Sequence, residues 1–153
     1  MADFATSRRM MTALAEGPFT QLEGEPLTTS LSVPWERLLP GPVGSRFSTD
    51  VGGPGRPRAR PLVLDTEFES VSYDDVGCPS GLEDLLGDRR FLAQHAYAIA
   101  ASTLDLFEST MGRRLGWKAR GHRLALKLYE PIPFDETGYD GQRCEIRFGH
   151  RKD

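Results

Sequence analysis

The chain has 153 residues and a mass of 17.0 kDa, a size that suits one domain or slightly less. Its 39% hydrophobic and 27% charged residues are typical of globular proteins and exclude collagen, coiled coils and wholly disordered chains. The net charge of -3 argues against nucleic acid as a partner. Apolar runs such as Ala98–Ala101 are far shorter than the ~20 residues that a membrane span needs, so we expect no membrane partner.

Cysteine usage and the N-terminus predict a cytoplasmic protein. Cys78 and Cys144 belong to no CxxC pair, which favours two reduced thiols, with a disulfide as the alternative. The apolar segment Met10–Ala15 is short and follows Asp3 instead of a basic start, so it does not indicate a secretory signal.

The first 64 residues divide into two predicted segments. Residues 1–16 are predicted to hold a short helix, because Phe4, Met11 and Leu14 recur at helix-like spacing before Gly17. Residues 17–64 are predicted to be a Pro/Gly-rich arm or linker, since 15 of the 45 positions from 17 to 61 are Gly or Pro. The apolar residues at 33–35 and 38–40 could lie extended against a core or be disordered.

Two charged stretches follow, and neither matches a ligand-binding motif. The glycine-rich stretch at 52–60 resembles a phosphate loop, but its prolines remove N–H donors and no helix follows, so a flexible basic linker is the better interpretation. Eight carboxylates occur between Asp65 and Asp88 without the spacing of a calcium loop. We interpret this acidic stretch as a solvated strand or connecting loop.

The rest of the chain, residues 65–153, is predicted to form a small α+β domain. A helix is predicted over 89–111, with Asp88 as N-cap and Gly112 as C-cap. Its predicted core stripe, broadened by Phe91 and Phe107, comprises Leu92, Ala96, Ile99, Thr103, Leu106 and Met111.

Two segments after the helix alternate between apolar and polar residues, as half-buried strands do. These are 122–129, with three leucines on one face, and 143–148, with Cys144, Ile146 and Phe148 predicted inward. The two strands would share one sheet, and the intervening prolines permit an exposed edge segment from Ile132 to Tyr139. The predicted fold is therefore α+β, with one long amphipathic helix packed on a small antiparallel sheet and preceded by the arm.

The sequence provides no complete catalytic or metal-binding set. His95 is expected to be a satisfied, semi-buried helix residue, and neither His122 nor His150 has an i+4 partner. HExxH, HxxEH, CxxC and GxSxG motifs are all missing. We predict no catalytic residues, no metal site and no cofactor; a stand-alone enzyme would need His95 or His122 beside Asp135 or Glu136.

One segment carries a family resemblance. It reads FLAQHAYAIAASTLDLFESTMGRRLGW, then GHRLALKLY, then a loop containing Tyr139, then CEIRFG. This order resembles the N-terminal part of bacterial thermolysin-like (gluzincin) metallopeptidase homologues, just ahead of their zinc-binding HExxH helix. The stretch LPGPVGSRF at 39–47 also resembles the arm of these proteins, so the likeness covers about two thirds of the chain.

The resemblance implies that an edge strand hydrogen-bonds the backbone of a bound peptide. By position, Tyr139 matches the last aromatic residue of that strand, Gly138 replaces an aromatic residue, and Glu136 stands where the family has Asn. The implied peptide- or partner-binding residues are Phe134, Asp135, Glu136 and Tyr139. Because the zinc helix is missing from this sequence, we expect a non-catalytic relative; the alternative is a small interaction module that binds a protein through its arm and edge segment.

Overall fold

A computed structural model describes residues 7–16, 21–23, 25–39, 41–51, 63–65, 70–72, 88–117, 123–130 and 137–149. These residues contain one helix and ten strands. The elements are β1 (Arg8–Leu14), β2 (Gln21–Leu22), β3 (Glu25–Pro26), β4 (Thr28–Pro34), β5 (Phe47–Asp50), β6 (Val63–Asp65), β7 (Ser70–Ser72), α1 (Arg89–Met111), β8 (Leu124–Glu130), β9 (Gly138–Asp140) and β10 (Glu145–Gly149).

The predicted α+β class is confirmed, and the main sheet is mixed instead of wholly antiparallel. Its strand order is β5-β8-β10-β9, in which β5 and β10 pair with β8 in parallel and β9 pairs with β10 antiparallel. The reason lies in the hairpin of β9 and β10. Strand β9 runs back along the outside, and the turn at 141–144 then returns the chain between β8 and β9. Strands β8 and β10 therefore run in the same direction, and β9 runs opposite to both.

The helix predicted for residues 1–16 is wrong over the described part of that segment. Residues Arg8–Leu14 form β1, which pairs antiparallel with β4 in register from Arg8 opposite Pro34 to Leu14 opposite Thr28. Met11 and Ala13 are fully buried while Thr12 between them is only half-buried, so the burial period is that of a strand. Pairing with a strand about twenty residues away overrides a short helical pattern that would be marginal alone.

The bounds and caps of α1 agree with the sequence prediction. The Asp88 side chain accepts a hydrogen bond from the Arg90 backbone N–H at 2.8 Å. Gly112 ends the helix in the left-handed conformation, with φ of 65°, and its N–H donates to the Glu108 carbonyl. Local capping chemistry therefore determines both ends of the helix.

The buried face of α1, however, is not the predicted stripe. The buried residues are Phe91, Ala93, Gln94, Tyr97 and Ala98, and they face β1, β4 and β5. Burial of this face is tolerated because Gln94 Nε2 donates to the Thr12 carbonyl at 2.8 Å and Tyr97 Oη donates to Glu36 Oε1 at 2.6 Å. Most of the predicted stripe is on the surface, and Leu106 is 65% exposed.

The arm contributes directly to the core. Val33 and Leu38 are almost completely buried, so the extended conformation against a core is the correct one of the two alternatives for these residues. Phe47 of β5 packs edge-on against both Tyr97 and Trp117. The main cluster of buried residues is Met11, Ala13, Val33, Leu38, Phe47, Tyr97, Ala98, Leu124, Leu126 and Cys144. Cys144 is a free core thiol, as predicted.

Several sequence predictions fall largely outside the described residues. The basic linker at 52–60 and Cys78 lie outside them. Within or beside the acidic stretch, the structure describes the backbone of the paired strands β6 and β7, and the helix N-cap Asp88. No helix within the described ranges is both long and apolar enough to cross a membrane.

Candidate partner-binding surfaces

Strand β9 forms the edge of the mixed sheet, where the sequence predicts a binding segment. Tyr139 lies in the middle of β9, opposite Ile146 of β10, and is 56% exposed. The outer side of β9 pairs with no further strand in the described part of the sheet. The other three predicted binding residues, Phe134, Asp135 and Glu136, lie outside the described residues.

The β9–β10 turn is held by Asp140. Its Oδ1 accepts hydrogen bonds from the backbone N–H groups of Gln142 at 2.9 Å and Arg143 at 3.1 Å, which closes an Asx-type turn. Both hydrogen bonds lower the pKa of the Asp140 carboxyl, and the bond from Arg143 has the larger effect. At the strand entrance, the Gly149 N–H donates to Thr137 Oγ1 at 3.0 Å. The edge is thus presented by a hairpin fixed at both ends.

Charged side chains surround the same hairpin. Arg147 lies 3.6 Å from both Asp140 and Glu145, and Arg143 lies 3.8 Å from Glu145 and 3.9 Å from Asp140. The arginine of each pair is about one-third exposed or more, so pairs at these distances contribute little stability. Their effect is on the edge, because charges beside an exposed strand disfavour uncontrolled pairing with other chains.

A second surface is an apolar groove between α1 and the mixed sheet. Its volume is about 630 Å³, and its walls come from α1, from β5, β8 and β10, and from the segment after the helix. The lining side chains are Phe47, Leu92, His95, Ala96, Ile99, Ala100, Thr103, Leu104, Phe107, Trp117, Leu126, Leu128, Ile146 and Phe148, together with Gly149. The groove exists because α1 packs mainly on β1, β4 and β5 and scarcely touches β8.

His95 is one of the few polar groups in this groove. Its Nδ1 accepts the Leu14 backbone N–H at 3.2 Å, and its ring stacks on Phe91 with centroids 6.4 Å apart. Because a backbone amide is always a donor, the neutral ring carries its proton on Nε2. The sequence expectation of a satisfied, semi-buried histidine is confirmed, and burial lowers the pKa of His95 below its usual 6.5.

The pKa of His95 leads to a prediction for stability against pH. Since the folded protein binds this proton less readily than the unfolded chain, the contribution of neutral His95 is fully present above pH 6.5. It declines as pH falls through 6.5 towards the lower folded-state pKa. Urea unfolding between pH 7.5 and 5 should show this loss, and His95→Asn, which keeps an acceptor near Leu14 N–H, should reduce the slope. Equal slopes in both proteins would contradict this role.

The Trp117 side of the groove is fixed by an arginine that the sequence analysis did not single out. Arg46 Nη1 donates to Glu108 Oε1 at 2.9 Å, Arg46 Nη2 donates to the Leu115 carbonyl, and Arg46 lies over the Trp117 ring at 5.4 Å. Glu108 Oε1 also accepts the Leu115 N–H at 2.8 Å. Nothing in the local sequence distinguishes Arg46 from the other arginines, because its partners are more than sixty residues away.

Metal-binding groups do not come together in the part of the chain that is described. Within those residues, no group of three or more His, Cys, Asp or Glu side chains could hold a metal ion. His122 and His150 lie outside the described ranges, as do Asp135 and Glu136.

Comparisons with protein-family models, with curated proteins and with solved structures gave no significant match for this chain. The fold and the two surfaces therefore define an α+β protein with an exposed sheet edge and an apolar groove.

Proposed function

We propose that this chain is a non-catalytic binding protein, related to the N-terminal part of gluzincin-like metallopeptidases, that binds an extended protein or peptide segment along β9. The observation that carries the proposal is the exposed outer edge of β9 with Tyr139 half-exposed on it. The order of α1, β8, β9 and β10 also agrees with the order that the resemblance implies.

The binding mode is addition of a strand. An extended peptide beside β9 would form main-chain hydrogen bonds with the edge, and Tyr139 would provide an aromatic surface for one of its side chains. Main-chain hydrogen bonds do not depend on the side chains of the peptide, so they allow many peptide sequences to bind. Side-chain selectivity would therefore come from Tyr139 and from the charged groups at Asp140 and Arg147.

The proposed peptide binding is tested by amide chemical shifts. We expect a soluble six-residue peptide of alternating Thr and Val to shift the amide resonances of Gly138, Tyr139 and Asp140 most strongly. Tyr139→Ala should weaken binding about fivefold to tenfold, which corresponds to the loss of about 1 kcal/mol of aromatic contact. The matched control is Trp35→Ala, which removes another aromatic residue that is 57% exposed. Shifts confined to residues away from β9 would contradict the proposal.

The proposal that the protein is non-catalytic is tested separately, by measuring the metal that the protein retains. We expect purified protein that has been dialysed with excess zinc to retain less than one tenth of an equivalent, and to show no hydrolysis of casein. One tightly held equivalent of zinc would overturn this part and leave the edge-strand test unaffected.

The alternative function is a protein-interaction module that uses the arm as well as the edge. Trp35, directly after β4 in the arm, is more than half exposed, and it is an aromatic side chain of the kind that anchors protein interfaces. In the same titration, loss of binding in Trp35→Ala with Tyr139→Ala unaffected would favour this alternative.

A further inference from the structure

The outer face of α1 is unusually apolar for a helix surface. Ile99, Leu106, Phe107 and Met111 are 42%, 65%, 55% and 50% exposed. Ile99, Thr103, Leu106 and Thr110 follow one another at spacings of four, three and four residues, which is the seam pattern of two helices packed side by side.

This face also contains no charged side chain. Between Leu92 and Met111 the charged residues are Asp105 and Glu108, and both point to the other side, where they pair with Arg8 and Arg46 at 2.7 and 2.9 Å. A solvated helix face normally carries charges. An uncharged face can instead meet an identical face without repulsion between like charges.

The two serines beside the seam donate their hydroxyl hydrogen bonds within the helix and not to water. Ser102 Oγ donates to the Ile99 carbonyl at 3.1 Å, and Ser109 Oγ donates to the Leu106 carbonyl at 3.0 Å. Both hydroxyl hydrogens are therefore already bonded within the helix, and burying them leaves no unsatisfied donor.

The exposed apolar area is close to what a stable dimer requires. With Phe148 at the sheet side of the groove, 36% exposed, five large side chains contribute to this surface. At roughly 150 to 200 Å² for each large side chain, with the aromatic ones at the upper end, and about half exposed, they present about 400 to 500 Å². A standard interface buries about 800 Å² per partner, of which roughly 60% is apolar, or about 480 Å².

We propose that the exposed face of α1 binds the same face of a second copy of this chain, as an antiparallel, two-fold symmetric helix pair that also covers the groove. The antiparallel arrangement follows from the helix dipoles. In a parallel pair the two negative helix ends meet and the two positive ends meet, whereas in an antiparallel pair each helix end meets an end of opposite sign.

Sedimentation velocity on the full chain from 1 to 100 µM tests the proposal. We expect a species of twice the 17.0 kDa chain mass. Leu106→Arg should raise the dimer dissociation constant roughly 100-fold or more, because an unpaired charge would be buried in the seam. The matched control, Met10→Arg, places the same charge on β1 at a methionine that is 52% exposed, and it should leave the dimer intact.

A monomer across the whole concentration range would overturn the proposal and would point to a different occupant of the groove. Unchanged dimerisation in Leu106→Arg, or equal weakening in Met10→Arg, would overturn it as well. Should Leu106→Arg fail to show a cooperative thermal transition, Thr103→Arg at another exposed seam position decides the question by the same criteria.

Discussion

Ending the chain before Arg143 is expected to abolish cooperative unfolding, because the deletion removes β10 from the interior of the mixed sheet. Strand β10 pairs with β8 on one side and β9 on the other. The deletion removes buried Cys144 and half-buried Ile146, and it takes away the strand that pairs with β9 in the described part of the sheet.

The expected loss is comparable with the total stability of a domain. Each large buried side chain contributes about 1.5 to 3 kcal/mol, and each ladder hydrogen bond about 1 kcal/mol net, against a typical total of about 5 to 15 kcal/mol. Circular dichroism on heating should show no cooperative transition in the truncated protein.

Point variants in the full chain show whether the loss of stability comes from the contacts of β10 or only from shortening the chain. Ile146→Asp in the full chain should lower the free energy of unfolding by about 3 kcal/mol, because a carboxylate would enter the apolar groove wall. Arg143→Ala, at a side chain that is 69% exposed with only long ion pairs, should change it by about 0.5 kcal/mol or less. A cooperative melt in the truncated protein would mean that β10 is not required for the fold.

Gly44→Ala is expected to destabilise the protein by about 3 kcal/mol, although it adds one methyl group. A Cβ at residue 44 would overlap Glu36 Oε1 and Tyr97 Oη, the two atoms that share the 2.6 Å hydrogen bond between the arm and α1. The carboxylate has little room to move, because Glu36 Oε2 also accepts the Ser45 N–H at 2.6 Å. Tyr97 is 2% exposed and holds its proton firmly, since burial and then Glu36 raise its pKa.

The control for Gly44→Ala is Gly116→Ala, where a Cβ would meet no atom within 4 Å. This change should be neutral or slightly stabilising, because alanine restricts the unfolded chain. Urea denaturation of Gly44→Ala, Tyr97→Phe and the double variant completes the test. Removing the Tyr97 hydroxyl should recover part of the cost of the methyl group, so the two effects should not add. Additive effects, or a Gly44→Ala protein as stable as the control, would show that the Glu36–Tyr97 contact is not rigid.

Some elements of this protein could be predicted from local sequence, and others could not. The ends of α1 follow from Asp88 and Gly112, whose effects act within one turn. The leucines of β8 alternate with Ala125 and Lys127 and are buried as that pattern predicts. For the candidate site, the sequence predicted the edge position of Tyr139 from Pro131 and Pro133 and from the resemblance. No sequence pattern indicated the groove.

The groove was missed because its walls come from segments that are distant in the chain, including Phe47, Trp117 and Leu126. The same cause explains the wrong helix at the N-terminus, where β4 provides the hydrogen-bond partners of β1. Hydrophobic periodicity describes which side of an element could be buried. It does not say which other element will cover that side.

The sequence by itself therefore determined the α+β class, both ends of α1 and strand β8, because caps and alternation are local properties. It also predicted a strand at β10, but Phe148, predicted inward, is 36% exposed, so the predicted alternation is wrong at the end of that strand. Only the tertiary structure decided which face of α1 enters the core. Gln94 and Tyr97 found partners at Thr12 and Glu36, so the face that contains polar groups is buried. The more apolar stripe from Ile99 to Met111 was left on the surface, since none of the described strands packs against it.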